Sequence, residues 1–265
     1  MRLSLLPLLK IQRDLYTLPR GVERFREYIK TMTDPDTGDL ALPLVAMNPM
    51  GKDHIPALID EYIALGAEKI AADAIEDARR ATASAVAEPS ETAKAVSLRT
   101  KEFKVGLVVS DDLKGGWTNR WASEFGHRIE SGAFVKRGFI TGILWTSEPA
   151  SATNVRESIL TAIYRTEYLL THPAPKTLRE MLAQEGRAMA RAGCTTPSLD
   201  DDDLGYTRSV ITPHLEAHDR ATVIACLFGD VAANALGYPP QGLSARAGLA
   251  LALHDARVSE PGENR

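Results

Sequence analysis

FKVGLVVSDD, residues 103–112, decides how the chain is read. Phe103, Val105, Leu107, Val108 and Val109 form a short apolar run, rich in the β-branched side chains that fit a pleated, buried surface. Ser110, Asp111 and Asp112 close it, so the pattern predicts a buried strand with two acids at its carboxyl end. Gly115 and Gly116 follow, and then Trp121, Phe125 and Ile129 recur at four-residue steps. That spacing predicts a helix behind the loop, with Thr118 or Asn119 as its N-cap. Strand, loop and helix together make the unit of a parallel sheet, because parallel strands need a crossover connection.

Working outward, the same unit is read on both sides. Upstream, Leu40, Leu42, Leu44 and Val45 form an apolar run closed by Asn48, Pro49 and Gly51, which reads as a strand entering a loop, although Pro43 lies inside it. A helix is expected from Asp53, with Ile55, Leu58, Ile59, Tyr62, Ile63, Ile70 and Ala74 on one stripe and Gly66 as a break. Downstream, Phe139, Ile140, Ile143, Leu144 and Trp145 read as a strand, 146–153 as a polar loop, and Val155, Ile159, Ile163 and Leu170 as a helix started by an Asn154–Glu157 capping box. These units predict an α/β fold: a mostly parallel sheet with crossover helices and a mainly helical C-terminal third.

Further helices are expected from Val22, Phe25, Ile29 and Met32 after Pro19, from a Thr177–Glu180 capping box up to Gly193, and over 245–257. The segment 221–236 fits either a strand before Gly229 or a helix throughout, its length favouring helix. No fixed-period repeat is visible. The expected organisation is a single α/β domain over 1–258, with a possible internal boundary near 81–100, where Ala, Ser, Thr and Glu gather around Pro89, and a disordered tail at 259–265.

Composition bounds the function. A 44% hydrophobic and 25% charged chain of 265 residues matches folded globular averages, which argues against disorder and against a membrane protein. A net charge of -4 supplies no positive field to attract nucleic acid or an anionic bilayer, so neither is expected as a partner. The opening apolar residues Leu3 to Leu9 are interrupted by Pro7 and followed at once by Lys10, which reads as a segment docked on the body and not a leader. Cys194 and Cys226 have neither pairing nor zinc-ligand spacing, as expected of a soluble, cytoplasmic protein.

Candidate chemistry gathers in the strand-end loops, where open α/β sheets place their ligands. In the loop after residue 110, Asp111 and Asp112 suit a general base or a cation ligand. Lys114, Asn119, Arg120 and the Gly115–Gly116 backbone suit an anion at a helix N-terminus, and Trp117 suits a substrate face; a solvated turn of the same residues is the plainer alternative. His54, which simple helix initiation at Asp53 also explains, becomes an acid/base partner of the acids if its loop shares their rim. The third loop, with Ser147, Glu148, Ser151, Thr153, Asn154 and Arg156, could present hydroxyls and helix amides to an anion, Arg156 being a further candidate anion ligand; helix capping is the plainer account. A competing site comes from His214 and His218, which share a face if helical and with Asp219 make a metal-ligand set; an ordinary exposed polar face is the simpler account. No serine-nucleophile elbow or catalytic cysteine pattern is present.

The expected function is a metabolic enzyme that acts on a small, carboxylate- or phosphate-bearing substrate by acid/base chemistry, with no cofactor or metal specified. A metal-dependent hydrolase or oxygenase built on His214 and His218 is the alternative within enzymes. A non-catalytic binding or scaffold protein that pairs into a homodimer through amphipathic helices is the alternative outside them.

Overall fold

The computed structural model describes residues 1–85, 101–114 and 118–259. The expected boundary near 81–100 falls mostly outside them, as do Gly115, Gly116, Trp117 and residues 260–265 of the expected tail.

The fold is α/β, with helices around a three-stranded parallel sheet and a mainly helical C-terminal part. In chain order the elements are β1 (Arg2–Leu5), α1 (Leu8–Leu15), α2 (Val22–Met32), α3 (His54–Ala64), α4 (Ala67–Ala85), β2 (Glu102–Ser110), α5 (Arg120–Arg128), α6 (Gly132–Arg137), β3 (Phe139–Trp145) and α7 (Ala152–Thr171). They continue with α8 (Leu178–Arg191), α9 (Asp201–Ile211), a 3₁₀ turn (Thr212–His214), α10 (Arg220–Phe228), α11 (Asp230–Ala235) and α12 (Ala247–Ser259). Among the described residues no helix is long and apolar enough to cross a membrane.

The sheet order is β1-β2-β3. β2 is thus the central strand, which fits its apolar residues from Val105 to Val109. It pairs with β1 from Arg2↔Glu102 to Leu5↔Val105 and with β3 from Lys104↔Phe139 to Ser110↔Trp145. The upstream strand is therefore not Leu40–Val45, which makes a single Thr33↔Leu40 bridge and is otherwise irregular. Its place is taken by β1, in the N-terminal segment read above as merely docked.

β1 stops opposite Val105 while β2 runs five residues further. The fully buried side chain of Gln12 takes over the missing pairing: its Nε2 donates to the Val109 carbonyl at 2.7 Å and its Oε1 accepts from the Val109 amide at 2.9 Å. Gln12→Leu strands both backbone groups in the interior and is expected to cost about 1–3 kcal/mol. Urea denaturation checks this, and an unchanged midpoint would show that the pairing contributes nothing.

Helix boundaries follow local chemistry. Gly66, at φ +75°, separates α3 from α4 in a conformation that side-chain-bearing residues avoid. The segment 221–236 is neither strand nor one helix: Gly229, at φ +80°, splits it into α10 and α11, and a Cβ there would lie 2.0 Å from the Ser244 carbonyl oxygen. The Thr177–Glu180 capping box forms with both of its arms. The Asn154 box does not, because α7 starts earlier and Ser151 Oγ accepts the Asn154 amide at 3.1 Å. Asp53 likewise makes no side-chain cap. In α2 the apolar stripe Val22, Phe25 and Ile29 is exposed, and the buried residues are Arg24 and Tyr28. Arg24 tolerates burial because its guanidinium donates to the Leu18 and Gly51 carbonyls and stacks 5.1 Å over the Tyr16 ring.

The chain forms two compact units, Met1–Arg120 with Ala133–Ile163, and Trp121–Gly132 with Tyr164–Arg265. The first contains the sheet. Its buried residues include Leu8 and Leu9 of α1, Ile55, Ile59 and Tyr62 of α3, and Phe103 through Val109 of β2 apart from Lys104. The second is helical, and its core is drawn from Leu178, Met181 and Met189 of α8, Val223–Phe228 of α10 and Leu249–Leu253 of α12.

Candidate active site

At the carboxyl end of β2 the chain leaves the sheet with two consecutive carboxylates that turn to different partners. Asp111 is 2% exposed, and its Oδ1 lies 2.9 Å from His54 Nε2 at the start of α3. Its Oδ2 accepts from Asn48 Nδ2 at 3.0 Å, and the Lys114 amide approaches Oδ1 at 3.3 Å. Asn48 is held in turn: its side chain accepts the Met50 amide, and its carbonyl accepts the buried Tyr16 hydroxyl at 2.6 Å. The loop from 41 to 53, although not preceded by a strand, therefore delivers His54 to the rim through a tight turn anchored on α1.

Burial alone would raise the Asp111 carboxyl. The hydrogen bonds from His54, the Lys114 amide and Asn48 outweigh it and hold the group below the usual carboxylate range. Asp111 is accordingly a fixed negative charge at neutral pH and a weak base. A carboxylate only accepts, so it draws the imidazole proton to Nε2 and leaves Nδ1 as the basic nitrogen. Among the described residues Nδ1 of His54 is buried without a hydrogen-bond partner, as is the hydroxyl of Ser110 at the end of β2.

Asp112 faces the β3–α7 loop. Oδ1 accepts the Ser147 amide at 2.8 Å and sits 3.0 Å from Thr146 Oγ1, while Oδ2 accepts from Ser147 Oγ at 2.6 Å and from Arg120 Nη1 at 2.9 Å. With these contacts and 4% side-chain exposure it organises the loops. Thr146 Oγ1 also lies 3.2 Å from Asp111 Oδ1, so a single hydroxyl proton is shared between two acids. Arg120, the first residue of α5, is bound by Asp112, Ser147 and Glu148 and rests 5.0 Å over the Trp145 ring.

Of the expected site residues, the structure brings together His54, Asp111, Asp112 and Arg120. Lys114 and Asn119 are exposed in the same loop. Arg156 does not join them; its guanidinium pairs with Asp77 of α4 at 2.7 Å. Sequence reading named Asn48, Ser147 and Glu148 in the neighbouring loops without pairing them with the acids, and it missed Thr146. Asn48 carried a signal, an Asn-Pro step before the glycine of a turn.

The metal alternative loses its geometry. His214 belongs to a 3₁₀ turn and His218 lies outside any helix, so the shared helical face does not form. Asp219 caps α10 by accepting the Thr222 amide at 2.9 Å. Among the described residues no group of three His, Cys, Asp or Glu side chains is placed to hold a metal ion.

No protein-family model matches the chain. No solved structure matches it. Over 77 residues it is 38% identical to a protein of Bacillus subtilis (strain 168) designated uncharacterized protein YjfC. That match covers 29% of this chain and about a quarter, 26%, of the relative.

The helical unit holds a second polar cluster. Glu185, fully buried on α8, receives Arg165 through two bonds of 2.6 and 2.9 Å and Arg128 at 2.6 Å. Glu124 joins Arg128 at 2.9 Å to Arg246 at 2.7 Å, so five charges alternate in sign along a chain. Burial would raise the Glu185 carboxyl, but Arg165 and Arg128 bring it down to about 2. A legible signal existed: Glu185 lies four residues after Met181 and seven after Leu178, on the apolar face of its own helix.

His127 sits beside this cluster. Burial, followed by the charges of Arg165 and Arg128, lowers it from 6.5 to about 4. The unfolded chain takes up a proton as pH falls through 6.5, whereas the folded chain does so only near 4. The contribution is therefore complete above 6.5 and is lost as pH falls toward 4, by about 3 kcal/mol. Unfolding free energies between pH 7 and 4 should show this slope in the parent and flatten in His127→Gln; equal slopes would remove His127 as its source.

Proposed function

We propose that the protein is a small-molecule enzyme working by proton transfer at the carboxyl-end rim of its sheet. His54 is the acid/base group and Asp111 the buried carboxylate that orients it, with a carboxylate- or phosphate-bearing substrate. The observation that carries this reading is the 2.9 Å contact between His54 Nε2 and Asp111 Oδ1, with the opposite ring nitrogen left without a partner among the described residues. With the carboxylate on Nε2, Nδ1 is the nitrogen that can exchange a proton with a substrate. The paired acids divide the labour. Asp111 fixes the tautomer of the base, and Asp112 fixes the loops and Arg120, the cation nearest to them.

The reading is tested by incubating the protein with a panel of small carboxylates and phosphate monoesters in D₂O and following loss of substrate C–H signals by NMR. Exchange that disappears in His54→Gln supports it. Nitrogen-15 spectra of the histidine ring check the premise, with the proton expected on Nε2. A proton on Nδ1, or exchange undiminished in His54→Gln, overturns the assignment.

A further inference from the structure

We propose that Glu148 is a displaceable internal anion, holding on Arg120 the place that a substrate carboxylate or phosphate takes. The inference deepens the proposed function, since it names how the same rim captures a negative charge. Arg120 looks saturated, because Asp112, Ser147 and Glu148 all bind its guanidinium. The two carboxylates are unequal, however. Asp112 is 4% exposed and tied by three further bonds to Thr146 and Ser147, so it does not leave. Glu148 is 37% exposed, and its carboxylate reaches Arg120 from the flexible end of a side chain on the β3–α7 loop.

Solvent reaches the Glu148 end of the pair, and exchanging one carboxylate for another keeps the same kind of bond to the guanidinium. What stays behind is a prepared receptor. The guanidinium plane is fixed by Asp112 and Ser147 on one edge and by the Trp145 ring at 5.0 Å on its face. Its Nη2, which now binds Glu148, is a charged donor suited to a carboxylate or a phosphate oxygen. Glu148 thus occupies the Nη2 side of the guanidinium while no substrate is bound and competes against weak, adventitious anions.

Isothermal titration with inorganic phosphate tests this on the full chain. Removing the competitor in Glu148→Gln is expected to tighten phosphate binding by about fivefold, the equivalent of roughly 1 kcal/mol. Arg120→Gln is expected to abolish binding in both backgrounds. Phosphate that binds Glu148→Gln no more tightly than the parent, that binds neither at millimolar concentration, or that binds Arg120→Gln as well as the parent, overturns the proposal. Glu148 is exposed, so its variant stays informative even if Arg120→Gln loses stability by stranding Asp112. Isotope exchange reports on His54 and phosphate titration on Arg120, so the two readings fail on separate measurements.

Discussion

Glu185→Gln is expected to destabilise the helical unit by about 3–5 kcal/mol, the cost of leaving buried charges uncompensated. The side chain keeps its size, so the loss is not one of packing. Removing the carboxylate charge leaves Arg165 and Arg128, both held within 3 Å of it, facing each other with Glu124 alone to balance them. The penalty arises from the stranded guanidiniums more than from the lost attraction, and a second variant separates the two. In Glu185→Met combined with Arg165→Met the charge is removed with its main partner, and the double change should cost less than Glu185→Gln alone. Scanning calorimetry is the suitable measurement, because the chain has two compact units that need not melt together. A shift within about 0.5 kcal/mol, the range of ordinary surface changes, would mean that the cluster is solvated and not buried.

At the rim, His54→Gln is expected to lower the rate of substrate hydrogen exchange by about 10²- to 10⁴-fold, the usual contribution of a positioned acid/base group. Gln retains a donor for Asp111 but has no basic nitrogen, so stability should hold while chemistry fails. Asp111→Asn is the more discriminating partner. Its amide can donate as well as accept, so it no longer dictates which ring nitrogen carries the proton, and exchange should fall although His54 is untouched. If Asp112→Asn instead produced the larger loss with the fold intact, the roles given to the two acids would have to be reversed.

Much of this was legible in the sequence. β2 and β3 are written as β-branched apolar runs that fit only a buried strand, and the acids and arginine of the site follow directly from where β2 ends. β1 was not legible, because Arg2–Leu5 is four residues long and its leucines continue into α1 without a break in polarity. The pairing of His54 with Asp111 was anticipated through a strand at Leu40–Val45 that does not exist; Pro43 prevents it, and the turn at Asn48 brings the histidine in by another path. Burial of Arg24 could not be seen at all, since its partners are backbone carbonyls that only the folded chain supplies. The same holds for Glu124, whose ion pair with Arg246 spans more than a hundred residues.

The register that pairs Arg2 with Glu102 also sets a timetable. During synthesis at about 5–20 residues per second, the first strand leaves the ribosome roughly 5–20 s before its partner is made. Throughout that interval β1 lacks the strand it pairs with in the fold, and closing so long a loop is entropically slow even once that partner arrives. Nascent chains should therefore depend on chaperones that shield β1, and the onset of protection at β1 should coincide with the emergence of β2.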